Sequence, residues 1–254
     1  MNIGVFDSGL GGLWILKHLE NNLPGYNYVF LGDQAHMPYG NKTPEEITKL
    51  CFSITDFLIH KGCTLIVVAC NTATSASIES LRMRYPDLVF VGIEPAIKPA
   101  GERSKTGHIG VLATKVTAQG KKLHDTIEKF AANIEVHTAI GYGLVELVEE
   151  GKADSAEAHA LLRTYLDPLL EKNIDQLVLG CTHYAFLIKQ IRAIVGENVM
   201  IVDPAPGVVR RVEQLLDEHG SIPASLRTPP ELFTSGSDPQ KMKAFYNSIE
   251  VFNN

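Results

Sequence analysis

The feature that most constrains this chain is a set of strand-sized apolar runs that stop abruptly at small polar residues and recur, in order, about 110 residues later. Ile66-Val67-Val68-Ala69-Cys70-Asn71-Thr72 is echoed by Leu177-Val178-Leu179-Gly180-Cys181-Thr182-His183. Ile3-Gly4-Val5-Phe6-Asp7-Ser8 is echoed by Ile109-Gly110-Val111-Leu112-Ala113-Thr114, and Val91-Gly92-Ile93-Glu94-Pro95 by Met200-Ile201-Val202-Asp203-Pro204. One such match is how any α/β chain reads. Three in the same order indicate a duplicated half-domain.

Between the landmarks the hydrophobic period switches between strand and helix. Strand patterns at 2–6, 27–32, 64–69 and 88–93 alternate with helical ones at 11–21, 44–60 and 73–84. A second set follows, with strands near 107–112, 134–139, 176–180 and 199–202 and helices near 116–130, 155–171 and 184–195. Such alternation predicts an α/β fold of two pseudo-symmetric, doubly wound parallel sheets, each covered by helices on both faces. Thr43-Pro44-Glu45-Glu46 supplies an N-cap, a proline at the first helical position and a capping-box glutamate. Asp154-Ser155-Ala156-Glu157 opens a later helix in the same way. The tail has no counterpart in the repeat: a helix over 207–219, a proline-rich stretch from Pro223 to Pro230, a strand at 232–234 and a helix over 239–248. Its simplest path returns to the first half. That makes a discontinuous first domain, 1–97 plus 208–254, around a second domain, 98–207.

Composition narrows the function classes. The net charge is −6, with lysine and arginine scattered, so nucleic acid is not an expected partner. No apolar run approaches the roughly 20 residues that cross a bilayer, and Met1 to Asp7 do not read as an export signal. No membrane association and a cytoplasmic location are expected. Cys51, Cys63, Cys70 and Cys181 show neither disulfide-framework nor metal-finger spacing, so reduced thiols and no metal are expected, with Cys51 and Cys63 as core fillers.

Ligands of doubly wound sheets bind beyond the carboxyl ends of the strands. The residues there are Asp7, Ser8, the 33–40 loop, Cys70 to Thr72, Thr114, Thr117, Glu149 after a loop, and Cys181 to His183. Each of the two cysteines stands between a strand and a helix, where backbone N–H groups and the macrodipole favour a thiolate. A single cysteine there is as often structural, but the repeated pair points to chemistry. Asp7 and His183 can steer protons at these thiols. Ser8, Asn71, Thr72, Thr114, Thr117 and Thr182 are either helix caps or an uncharged set for holding carboxylate and ammonium groups. Gly9-Leu10-Gly11-Gly12 looks like a phosphate loop but fails the dinucleotide pattern, because Trp14 occupies the place of the last glycine.

Taken together, Gly4-Val5-Phe6-Asp7-Ser8-Gly9-Leu10-Gly11-Gly12, Gly32-Asp33 with Pro38-Tyr39-Gly40, Ala69-Cys70-Asn71-Thr72-Ala73, Val148-Glu149-Glu150-Gly151, Leu179-Gly180-Cys181-Thr182-His183-Tyr184 and Phe233-Thr234-Ser235-Gly236 resemble the glutamate racemases of the cofactor-independent aspartate/glutamate racemase superfamily. The matches run along essentially the whole chain. The resemblance implies an active site between the two domains and interconversion of L- and D-glutamate without cofactor. It further implies a homodimer and supply of D-glutamate for peptidoglycan, hence for cell wall biogenesis and cell shape. Cys70 and Cys181 would exchange the α-proton from opposite faces, assisted by Asp7, His183 and Glu149. Ser8, Asn71, Thr72, Thr114, Thr117 and Thr182 would hold the amino acid head, and Pro38, Tyr39 and Gly40 the side-chain carboxylate. His36, Ala185 and the 141–146 segment depart from the family pattern. Racemisation of aspartate or a broader range of amino acids, or maleate isomerase- or decarboxylase-like chemistry, are the alternatives.

Overall fold

The computed structural model describes residues 2–221, 223 and 228–250, so the proline-rich stretch lies partly outside the described residues. The chain divides into two compact units, Met1–Ile93 with Ala205–Asn254, and Glu94–Pro204.

In the first unit β1 (Asn2–Asp7), α1 (Gly12–Asn22), β2 (Asn27–Gly32), α2 (Pro44–His60), β3 (Cys63–Val68), α3 (Asn71–Arg84) and β4 (Val89–Gly92) follow one another. In the second unit come α4 (Ile97–Arg103), β5 (His108–Ala113), α5 (Lys115–Gln119), α6 (Lys121–Phe130), β6 (Glu135–Ile140), α7 (Leu144–Glu149), α8 (Ala156–Leu170), β7 (Gln176–Gly180), α9 (Ile188–Val195) and β8 (Met200–Val202). The chain then returns to the first unit with α10 (Ala205–Glu218), β9 (Glu231–Thr234) and α11 (Pro239–Ser248).

Both sheets are parallel throughout. The first runs β4-β3-β1-β2-β9 and the second β6-β5-β7-β8. Without β9, the first sheet has the same strand order as the second, as duplication of a half-domain requires. Side chains alternate across each strand. Ile3, Val5, Leu65 and Val67 therefore join the cluster under α1 and α10, whereas Phe6, Ile66, Val68 and Cys70 join the one under α2 and α3. In the second sheet Ile109, Val111 and Val178 pack with Ile97, Ala100 and Leu123 of α4 and α6. Thr43 and Glu46 form the expected capping box, and the Ser155 hydroxyl accepts from Ala158 N–H at the start of α8.

Several elements differ from the sequence expectation. The helix expected at 73–84 starts at Asn71, because Cys70 caps it. The one expected at 116–130 breaks at Gly120, which is extended, into α5 and α6. The one expected at 184–195 opens with a 3-10 segment, Thr182–Leu187, and becomes α-helical only at Ile188. Two short helices, α4 and α7, were not anticipated, and Glu149 ends α7 instead of following a loop.

The glycine cluster after β1 serves packing. A Cβ on Gly12 would lie 2.5 Å from the Asp7 Cβ, and one on Gly32 would lie 2.8 Å from the Gly9 carbonyl oxygen. The loop thus brings α1 against the strand ends that carry Asp7. Gly12→Ala is expected to displace Asp7 and destabilise the protein by about 1–3 kcal/mol, the usual cost of overpacking. A denaturant midpoint with an unchanged slope would measure it.

Candidate active site

In the first unit the register sets the geometry. Phe6 pairs with Val68, and Ala69 N–H donates to the Phe6 carbonyl, so Ser8 and Cys70 emerge side by side just past the paired ends. The Cys70 thiol lies 3.5 Å from the Ser8 hydroxyl and accepts from Ala73 N–H at 3.4 Å. Cys70 is thereby the N-cap of the 14-residue α3. A sulfur held against the first amides of such a helix sits where negative charge is favoured. Asp7, fully buried, accepts from Gly9 N–H at 2.8 Å, which fixes its carboxylate over the same strand ends.

Asn71 and Thr72 are both 3% exposed. Among the described residues, neither the oxygen nor the nitrogen of the Asn71 amide has a hydrogen-bond partner. A buried amide without such partners costs the fold desolvation free energy.

The 33–40 loop is fastened from below. Asp33 accepts from the Tyr39 hydroxyl and the Ser235 hydroxyl, each at 2.6 Å, and lies 2.8 Å from His36 Nδ1. Burial, with the Asp33 carboxylate beside it as charge and hydrogen-bond acceptor, pushes the Tyr39 hydroxyl far above its ordinary range, so it stays protonated and keeps donating to Asp33. Pro38 and Gly40 flank it, half-buried. The sequence reading quoted Asp33 and Ser235 in motifs but gave neither a role. The sequence signal is Asp33 itself, an acid just beyond the carboxyl end of β2, one step past the Asp7–Gly32 pair.

The second unit repeats the plan with different chemistry. Ala113 pairs with Gly180, so Thr114 and Cys181 stand side by side as Ser8 and Cys70 do. Thr114 caps α5 and donates its hydroxyl to Thr117 Oγ1 at 3.0 Å. Cys181 precedes the 3-10 segment, and its side chain makes no cap. Its polar neighbour is His183 Nδ1, at 3.9 Å. The other ring nitrogen, Nε2, is 2.7 Å from Glu149 Oε1, and all three side chains are at least nine-tenths buried. With Glu149 ionised, Nε2 carries the hydrogen and Nδ1 is left facing the sulfur. Thr182 is buried beside them, and the Tyr184 hydroxyl donates to the Gly141 carbonyl at 3.0 Å. At the place of Asp7 this unit has Ala113, and at the place of His183 the first unit has Thr72.

Cys51 and Cys63 are of another kind. Both lie in the core, where burial pushes their thiols up to about 12 and about 11, and neither stands at a strand's carboxyl end. No helix among the described residues is long and apolar enough to cross a membrane.

The family model for Asp/Glu/hydantoin racemases matches residues 15–212. The chain is 47% identical over 218 residues to a glutamate racemase from Roseiflexus sp. (strain RS-1), covering 86% of this chain and 80% of that one. It is 41% identical over 251 residues to a glutamate racemase from Clostridium perfringens (strain SM101 / Type A), covering 98% and 96%. Among solved structures, a glutamate racemase isoform from Bacillus anthracis superposes with a TM-score of 0.89 at 30% identity, over 98% of this chain and 94% of that one.

Proposed function

We propose, from the premise that this chain belongs to the Asp/Glu/hydantoin racemase family, that it interconverts L- and D-glutamate by proton exchange at Cα between two thiols. Cys70 and Cys181 serve the same carbon from opposite faces, one as thiolate base and the other as thiol acid. Inversion requires both, and exchange of their protonation states reverses the direction. The observation that carries this reading is the repeated cysteine beyond matched strand ends, each with its own polar neighbours.

The assisting groups differ between the halves. On one side Ser8, Asp7 and the α3 amides surround Cys70. On the other His183, oriented by Glu149, addresses Cys181. The enantiomers have equal free energy in water, so kcat/KM must be the same in both directions whatever groups assist. The asymmetry therefore appears only in kcat and KM separately.

The orphan amide of Asn71, with Ser8, Thr72, Thr114, Thr117 and Thr182, holds the amino and α-carboxylate groups. Since the Tyr39 hydroxyl is committed to Asp33, the backbone N–H groups of Tyr39 and Gly40 receive the side-chain carboxylate, and Pro38, which has no N–H to offer, fixes the turn that presents them. The carbanion-like transition state is stabilised by these dipoles. No cofactor enters this scheme. The product D-glutamate serves peptidoglycan synthesis, cell wall biogenesis and cell shape, in the cytoplasm, from a homodimeric enzyme.

The test is racemisation of L-glutamate in deuterium oxide with no added cofactor. D-glutamate carrying one solvent deuterium at Cα, read by NMR with polarimetry, is the expected result. Product that retains the substrate's hydrogen, or faster turnover of L-aspartate, would refute the reading.

A further inference from the structure

We infer that His108, Glu135 and His137 form a binding site for a borderline divalent cation of the zinc class, separate from the proposed catalytic groups of the second unit. β5 and β6 pair with His108 opposite Glu135, and His137 lies two residues along β6. Side chains two apart share a face, so all three project from the same side of the sheet. β6 is the edge strand of that sheet.

The atoms that face one another are all potential metal donors. His108 Nδ1 lies 3.2 Å from His137 Nε2, Glu135 Oε2 lies 3.5 Å from the former and 3.7 Å from the latter, and the imidazole planes meet at 12°. Four-coordinate zinc holds nitrogen and oxygen ligands at about 2.0–2.2 Å, which sets the edges of its tetrahedron at about 3.3–3.6 Å. The three observed separations bracket that edge length. They outline one face of such a tetrahedron and leave the fourth position to solvent.

A hydrogen bond alone accounts for the cluster less well. One N–H can bridge the two rings, but Glu135 is then a third, acceptor-only group turned toward the same point. A cation among the three atoms lies within reach of one donor from each residue. Two imidazoles and one carboxylate favour zinc, copper, nickel or cobalt over magnesium or calcium, which take oxygen ligands. Glu135 is largely exposed and the two histidines are half-buried, so the site is open for loading without unfolding.

The cluster sits at the start of β5, whereas Thr114 follows its end. Six residue steps at about 3.3 Å put roughly 20 Å between His108 and Thr114 along the strand. The cation would therefore pin the edge strand to its neighbour instead of taking part in proton transfer.

Cobalt(II), titrated alone into chelator-treated protein, is the probe. The expected result is a visible absorption band of tetrahedral type that saturates at one equivalent, is displaced by zinc, and lacks the near-ultraviolet charge transfer that thiolate ligands produce. His137→Ala and His108→Ala abolish the band, and Glu135→Gln, at a largely exposed position that cannot compromise folding, weakens cobalt binding at least tenfold. Zinc raises the thermal midpoint of the wild type and leaves that of His137→Ala unmoved, while the variant keeps racemising. The inference is overturned if no stoichiometric band forms, if the band survives either histidine variant, if Glu135→Gln leaves the cobalt affinity unchanged, or if the band shows thiolate charge transfer.

Discussion

Serine in place of either Cys70 or Cys181 is expected to abolish racemisation while the protein stays folded. Proton transfer by a positioned side chain supplies about 10²–10⁴-fold in rate, and serine, whose hydroxyl is a far weaker acid than a thiol, cannot assume the role at neutral pH. Either single variant should therefore lose at least that factor in both directions. Equal free energies of the enantiomers forbid a variant that works only one way at steady state. The swap changes one buried atom at a strand end, so thermal unfolding should move by no more than a few degrees. Full turnover in either variant would exclude the two-thiol scheme. Cys51→Ser provides the contrast. That thiol is fully buried in the core, and its loss should leave kcat unchanged.

Asn71→Leu is expected to separate stability from activity. Asn71 is 3% exposed, and its amide has no hydrogen-bond partner among the described residues. Leucine has a similar branched outline and no polar atoms, so the substitution removes a desolvation cost of about 1–3 kcal/mol and should raise the unfolding midpoint. It also removes two potential hydrogen bonds to a charged amino acid. At about 1.5–3 kcal/mol for each such bond, kcat/KM should fall by about 10²-fold or more. A protein that gains stability and loses catalysis through one buried side chain exhibits the trade-off expected where a site is built for a ligand. Destabilisation with unaltered kcat/KM would instead make Asn71 a structural residue.

The strands were readable because most are buried on both faces, which leaves continuous apolar runs such as Leu65 to Cys70 bounded by polar residues. The same abrupt boundaries marked Asp7, Ser8, Cys70, Thr114 and Cys181, since parallel register brings neighbouring strand ends together. Short helices were not readable. α4 spans seven residues and contains Pro99 and Gly101, and α7 spans six after Gly143 in the left-handed region. Neither offers enough turns for a 3.6-residue period to emerge. Without α7 in view, the pattern leaves Glu149 after a loop, whereas it is the last residue of a helix. Nor could periodicity reveal that Cys181 is followed by a 3-10 segment, which gives the second thiol an imidazole neighbour where the first has helix amides. The fastening of Tyr39 by Asp33 and Ser235 joins positions 202 residues apart, a separation over which local pattern carries no information.

β9 pairs with β2, from Val29 opposite Glu231 to Gly32 opposite Thr234, and the residues just after it hold the 33–40 loop. This has a consequence for biosynthesis. During translation the continuous unit, Glu94–Pro204, has left the ribosome in full while the other unit still lacks an outer strand and the hydroxyl that clamps Asp33. Maturation of the 33–40 loop is therefore a late event on the nascent chain, because it waits for Ser235, 202 residues downstream of Asp33.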